Sequence, residues 1–238
     1  MAQKEVRDSW RDRRSVIASL LYAIMGPAVV FMVSLATRVD GVLIGMTSVF
    51  TLVSAFVGGM NVAMDTIAGE RERHSLLPLL LNPVARRDIV TGKFLAVSLF
   101  SLAGLVINLL GFALVLHMPR LLPALVAALL PLALLAAGLQ LLISTVCRAT
   151  KEAQTYLSML VFLPMGFGLS QVFFPAVHEW FTFLPLLGQQ LQFEAWLKGA
   201  AAPFGQAAAL GCFTAALALL AIEAAANRLR RDEIVYGD

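Results

Sequence analysis

Charge is scarce in this sequence. Of its 238 residues only 14% are Asp, Glu, Lys or Arg, while 59% are hydrophobic. Soluble domains carry nearer a quarter charged residues, so the composition excludes an ordinary water-soluble globule. Cysteine is almost missing. Cys147 and Cys212 lie far apart, each in or at an apolar stretch, and read as small buried hydrophobes rather than a disulfide or metal pair. No G-x-x-x-x-G-K-[ST] occurs. Thr91-Gly92-Lys93-Phe94 lacks both the upstream glycine and the hydroxyl residue, which excludes ATP binding through a P-loop. His178-Glu179 has no H-E-x-x-H completion, and His74 and His117 are expected on opposite membrane faces, so no metal site is expected. G-x-S-x-G is absent, and no group of acids, His or Ser converges at mid-membrane. No catalytic residue and no nucleic-acid partner are expected. The N-terminus mixes acids with bases and has no short apolar core before a cleavage site, so no cleavable signal peptide is expected.

What the chain has instead is long uncharged runs. About 20 apolar residues cross a bilayer. Ser15–Thr37, Val42–Met64 and Phe94–His117 each meet that length without a single Asp, Glu, Lys or Arg. Leu121–Cys147, Thr155–Val177 and Phe204–Ile222 follow. The expected fold class is an all-α polytopic membrane protein, one domain over residues 1–238. Its six spans lie at about 15–37, 42–64, 94–117, 121–147, 155–177 and 204–227. Residues 4–14, with Val6 and Trp10 four apart among charged residues, read as an interfacial helix. Pro164, Gly166 and Gly168 predict a broken or kinked fifth span. Residues 178–203 are too apolar for a solvated loop and too interrupted by Pro and Gly for a span. They read as two short re-entrant helices in the external leaflet. Gly41 with Gly45, and Gly58-Gly59, are candidate sites of close helix packing.

Six spans divide the eighteen Lys and Arg 15 to 3 between the two faces. The positive-inside rule then puts both termini, and the segment between spans two and three, in the cytoplasm. Polar residues in or at the ends of the spans are Asn61, Asp65, Asn108, Gln140, Gln171, Glu223 and Asn227. Burying such groups in lipid is costly. They either line a pathway or hold helices together, Asn108 and Gln140 as interhelical hydrogen-bonders and Asp65 and Glu223 as wet headgroup-level charges.

One polar island interrupts the apolar pattern: Asp65–Lys93, DTIAGERERHSLLPLLLNPVARRDIVTGK. It holds Arg71, Arg73, Arg86, Arg87 and Lys93, with the last three expected near the membrane surface, around a patch of Leu76, Leu77, Leu79, Leu80 and Leu81. An exposed apolar patch needs a partner, so the island reads as a docking segment. Asn82-Pro83 is a helix-start signal leading into span three.

The island resembles the first cytoplasmic loop of ABC type-2 exporter permeases, closest to sodium-efflux permeases of the NatB type. The matching positions are Gly69, Glu70, Arg71, Glu72, Arg73, Leu76, Pro78, Leu79, Leu80, Pro83, Arg86 or Arg87, Ile89, Gly92 and Lys93. His74 stands where that family has a glycine or other small residue, and Leu77 where it has a carboxylate. The large external domain between the first two spans is missing. The resemblance implies a transport subunit with no cofactor of its own, with ATP and Mg on separate ABC ATPase subunits that dock on the island. It implies a second copy or a sister permease, membrane lipids around it, and a bacterial inner membrane. The cargo would be Na+ or another small ion, a drug, a peptide or a lipid. A non-transporting scaffold that uses the same island, or an intramembrane enzyme, are the other classes such a chain could fill.

Overall fold

A computed structural model describes residues 6–7, 10, 13–36, 40–76, 78, 85–173, 179–200 and 204–229. Among these, every regular element is helical. In chain order the α-helices longer than one turn are α1 (Arg13–Ala36), α2 (Asp40–Met64), α3 (Arg86–Val115), α4 (Leu122–Val146), α5 (Thr150–Phe173), α6 (Leu187–Leu197) and α7 (Phe204–Arg228). In hydrocarbon a helix satisfies its own backbone groups, which is why long uncharged runs take this form.

Five helical stretches are long and apolar enough to cross a membrane: Val16–Ala36, Gly41–Glu72, Arg86–Val115, Pro119–Val146 and Phe204–Arg228. The expected fifth span corresponds to α5, a 24-residue helix with Glu152 in its first turn. Of the break or kink expected there, a break does not occur: α5 runs as one helix past Pro164, Gly166 and Gly168. Gly168 serves packing instead: a Cβ there would sit 2.4 Å from Val49 Cγ2.

α2 is the central helix, touching α1, α3, α4, α5 and α6. Towards the island, Val62, Ile67, Val90, Phe94, Leu141, Leu157 and Ile222 form one core cluster. Leu52, Phe56, Leu105, Leu109, Leu129 and Phe193 form a second towards the opposite end. Two carbonyls of α2 accept side-chain donors from other helices. Ser19 Oγ of α1 donates to Gly58 O at 3.1 Å, and Gln140 Nε2 of α4 donates to Phe56 O. Gly58 is also where α2 and α3 meet backbone to backbone. A Cβ on Gly58 would lie 3.0 Å from Phe100 O, and one on Gly104 would lie 3.0 Å from Gly58 Cα. The Gly41 and Gly45 pair behaves otherwise, with no atom within 4 Å of a Cβ at either position.

Pro27 in α1 has no N–H, so the carbonyl four residues earlier loses its helical donor. Asn108 of α3 supplies one: its Nδ2 donates to Ala23 O at 3.0 Å, and Asn108 is 1% exposed. The proline ring is seated on Gly111, whose Cβ would fall 2.5 Å from Pro27 Cγ. Asn108 is thus an interhelical hydrogen-bonder whose use is set by a proline on another helix. Asn108→Leu is expected to destabilise the protein by ~1 kcal/mol, within the range of membrane interhelical hydrogen bonds. In Pro27→Ala, where α1 regains its own donor, the same change should cost about half as much or less. A double-mutant cycle on detergent unfolding midpoints measures that coupling, and full additivity would refute the pairing.

Between α5 and α7 the chain makes a 3₁₀ turn, Glu179–Phe183, and then α6. Leu186 enters α6 at φ +73°, a strained value for a residue with a side chain, and its N–H donates to Gln189 Oε1 at 2.6 Å. α6 is fastened by polar contacts. Gln189 Nε2 donates to Thr214 Oγ1 of α7 at 2.8 Å. Ser48 Oγ of α2 and Gln190 Nε2 both donate to Glu194 Oε1, at 2.8 and 3.0 Å.

Candidate functional site

The island is narrower in space than in sequence. Helical backbone continues past Met64 through a π-helix, Asp65–Gly69, and a single α turn, Glu70–Glu72. At the other edge α3 starts at Arg86 rather than at Phe94. π-helical insertions are rare and frequent at functional sites. Thr66, Ile67, Ala68 and Gly69 are all buried, and Ala68 N donates to Ser144 Oγ of α4 at 3.1 Å.

The helical turn ends at His74, which has φ +56°. Ser75 N donates to Glu70 O at 2.9 Å and His74 N to Arg71 O at 3.0 Å. This pair of bonds is the Schellman arrangement, in which the left-handed residue just past a helix is usually glycine. It explains in backbone terms why the resembling family has a small residue there. His74 takes the same conformation at a steric cost.

The charged residues of the Gly69–Arg73 stretch reach three different elements. Glu70 Oε1 lies 2.7 Å from Lys93 Nζ on α3. Lys93 is fully buried within the protein, and its Nζ also donates to Thr66 O at 2.6 Å. Arg71 donates to Cys147 O at 2.9 Å and to Thr145 O at 3.4 Å, covering carbonyls at the C-terminus of α4. Glu72 Oε2 accepts from Thr150 N at 2.8 Å and Thr150 Oγ1 at 2.7 Å, at the first turn of α5. A cation at a helix C-terminus and a carboxylate at an N-terminus both complement the helix dipole. Arg73 turns back to Asp65 at 3.4 Å, an exposed pair of little energetic weight. Gly69 leaves room for this crowding, since its Cβ would lie 2.7 Å from Asp65 Oδ1 and 3.4 Å from Thr150 Cγ2.

The far edge of the island is tied down too. Arg86 Nη1 donates to Leu229 O, just past the end of α7, and Arg87 pairs with Glu223 on α7. Leu76, read as part of a docking patch, points inward: it is 4% exposed and belongs to the core cluster of Val90, Phe94 and Leu157. Pro78 is exposed. Leu79, Leu80 and Pro83, with the neighbouring Leu77, Leu81 and Asn82, lie outside the described residues.

The remaining polar candidates do not form one group. Asn108 and Gln140 are each 1% exposed and bond to neighbouring helices. Asp65 and Glu223 are engaged with Arg73 and Arg87 at the island end. Asn61 is half-buried and Asn227 exposed. The Gln171 side chain lies outside the described residues. One partner and one polar group were missed from sequence. Thr150 carries a recognisable signal, a hydroxyl residue opening a helix after a short basic loop. The Ser48, Gln190 and Glu194 group carries none, because its members are distant in the chain.

A family model described as ABC-2 family transporter protein matches residues 1–193. The chain belongs to the ABC-2 transporter family. Among curated relatives, the ABC transporter permease protein NatB of Bacillus subtilis (strain 168) is 34% identical over 170 residues, 64% of this chain and 44% of NatB. A probable ABC transporter permease protein NosY of Pseudomonas aeruginosa is 32% identical over 101 residues, 40% of this chain and 36% of that protein. A NosY of Stutzerimonas stutzeri is 29% identical over 100 residues, with the same coverage. The matched region thus spans less than half the length of each of these relatives. As an ABC-2 family member with membrane-length helices, the chain is an integral membrane protein.

Proposed function

We propose that this ABC-2 permease forms half of the translocation pathway of an exporter. A separate ATPase docks on the segment from Leu76 to Arg87, and Gly69–Arg73 passes its movement to the membrane helices. The observation that carries this reading is the three-way join of that stretch. Glu70 holds α3 through Lys93, Arg71 holds the end of α4, and Glu72 holds the start of α5. Arg86 and Arg87 add the end of α7. A push on the island therefore reaches four helices through bonded contacts. Leu76 anchors the segment to the core, and Pro78, Leu79, Leu80 and Pro83 supply the docking face.

In this reading α5 crosses the bilayer as the fifth of six spans, both termini are cytoplasmic, and the membrane is a bacterial inner membrane. The second half of the pathway is another copy of this chain or a sister permease. ATP and Mg2+ sit on the ATPase. The cargo is a small ion such as Na+, or a drug, peptide or lipid. The α6 segment, fastened by Ser48, Gln190 and Glu194, closes the external side.

Two variants separate docking from transmission. Leu79→Asp with Leu80→Asp should abolish co-purification of the ATPase with the permease. Glu72→Ala should leave co-purification intact but reduce cargo-stimulated ATP hydrolysis about ten-fold, as expected when ~1.4 kcal/mol of coupling is lost. Retained co-purification in the double Asp variant would sink the docking face. A complex that hydrolyses ATP and moves nothing across a panel of candidate cargoes would point to a scaffold instead.

A further inference from the structure

We propose that a groove between Trp10, α1 and α3 binds an anionic phospholipid, one acyl chain in the groove and the phosphate on the side of Arg7. The inference rests on the membrane placement of the chain and not on the transport reading.

The groove is a built feature. Ala103 and Gly104 of α3 make a low floor between the side chains of Leu20 on α1 and Leu99 and Ile107 on α3. Trp10 roofs one end, its ring resting on Phe100 at a centroid distance of 5.9 Å and an angle of 50°. Ser19 brings the one side-chain hydroxyl to the lining, and that hydroxyl is committed to Gly58 O at 3.1 Å. Apart from the Trp10 indole N–H, a ligand in the groove therefore meets no other side-chain donor or acceptor but this committed hydroxyl. A peptide or polar drug would lose its own hydrogen bonds there, at a cost an alkyl chain does not pay.

The side walls are open. Leu20 is 39% and Leu99 45% exposed, and both α1 and α3 are of membrane-crossing length. The opening thus faces bilayer hydrocarbon, and the occupant comes from the bilayer. Charge selects the headgroup. Trp10, at the mouth, is 60% exposed, one turn from the exposed Arg7. The first fourteen residues carry Lys4, Arg7, Arg11, Arg13 and Arg14 against Glu5, Asp8 and Asp12, an excess of two positive charges. Basic segments at the cytoplasmic interface favour anionic over zwitterionic lipids, and tryptophan favours the headgroup level.

Trp10 reports on its own site. In the 238-residue chain carrying Trp180→Phe and Trp196→Phe, it is the single tryptophan. In nanodiscs of phosphatidylcholine, phosphatidylglycerol with brominated acyl chains should quench Trp10 saturably. Half-quenching should come at a mole fraction roughly ten-fold below that needed with brominated phosphatidylcholine. Ala103→Phe, which fills the floor, should remove both the saturation and the preference. Arg7→Glu lies outside the packed helices; it should erase the headgroup preference while leaving quenching by the acyl chain. Superimposable curves for the two headgroups would overturn the proposal and leave only ordinary boundary lipid. Trp10 that neither brominated lipid quenches would also overturn it, and would mean that protein, such as a second copy of this chain, covers the groove. A preference that survives Arg7→Glu and Ala103→Phe together would likewise place the lipid elsewhere.

Discussion

Lys93→Met is expected to destabilise the protein by about 3–5 kcal/mol, the usual loss when one partner of a buried ion pair is removed. Lys93 is fully buried, and its ammonium lies 2.7 Å from Glu70 Oε1 and 2.6 Å from Thr66 O. Glu70 is itself mostly buried, with 20% of its side chain exposed. Methionine fills a similar volume but withdraws the ammonium from both oxygens. The carboxylate then stays in a site of low polarity without that cation, and the π-helical carbonyl loses a donor. Lys93→Met with Glu70→Leu should regain much of the loss, since an apolar pair of matched size often substitutes for a buried ion pair. Unfolding midpoints in graded denaturing detergent would measure both variants. A single variant that melts with the wild type would show that the pair contributes nothing to the fold. The double variant should fold and yet transmit poorly, because the Gly69–Arg73 stretch would lose its ion pair to α3.

Gly58→Val should cost ~3 kcal/mol, the upper end for overpacking a filled interior. The new Cβ would meet Phe100 O at 3.0 Å and Ser101 Cα at 3.2 Å. Both are backbone atoms of α3, so neither can rotate away as a side chain would. Relief requires α2 and α3 to separate, which also pulls Gly58 O from Ser19 and Phe56 O from Gln140. Gly45→Ala is the contrast, because no atom stands within 4 Å of its Cβ. That change should stay within ~0.5 kcal/mol, as for substitutions away from packed features. Equal effects at the two glycines, measured by the same unfolding assay, would remove the crossing from the account of stability.

The helices were legible because bilayer hydrocarbon imposes one rule on any segment inside it, and uncharged length alone reports compliance. Helices cover three of the apolar stretches closely: Asp40–Met64 over 42–64, Leu122–Val146 over 121–147, and Phe204–Arg228 over 204–227. The helix over 94–117 was read short at its start because a charged residue was taken as a membrane boundary. Arg86, Arg87 and Lys93 are helical all the same, and each has a partner on another element. Leu76 misled in the opposite direction, since a leucine in a polar stretch looks exposed until its neighbours in space are known.

The sequence by itself determined that this chain is a helical membrane protein, that these residues hold no P-loop motif, and that a charged interruption separates two of its long uncharged runs. Those properties follow from local composition and need no knowledge of which helices touch. The motif Gly69–Arg73 was likewise visible as a family signature. Only the tertiary structure decided what its charges hold. Arg71 meets Cys147 and Glu72 meets Thr150, 76 and 78 residues away in the chain. Asn108 serves Ala23 across 85 residues. No periodicity encodes such pairs. They arise because burying a polar group is costly, so each one takes whichever unsatisfied partner the packing of the helices brings within reach.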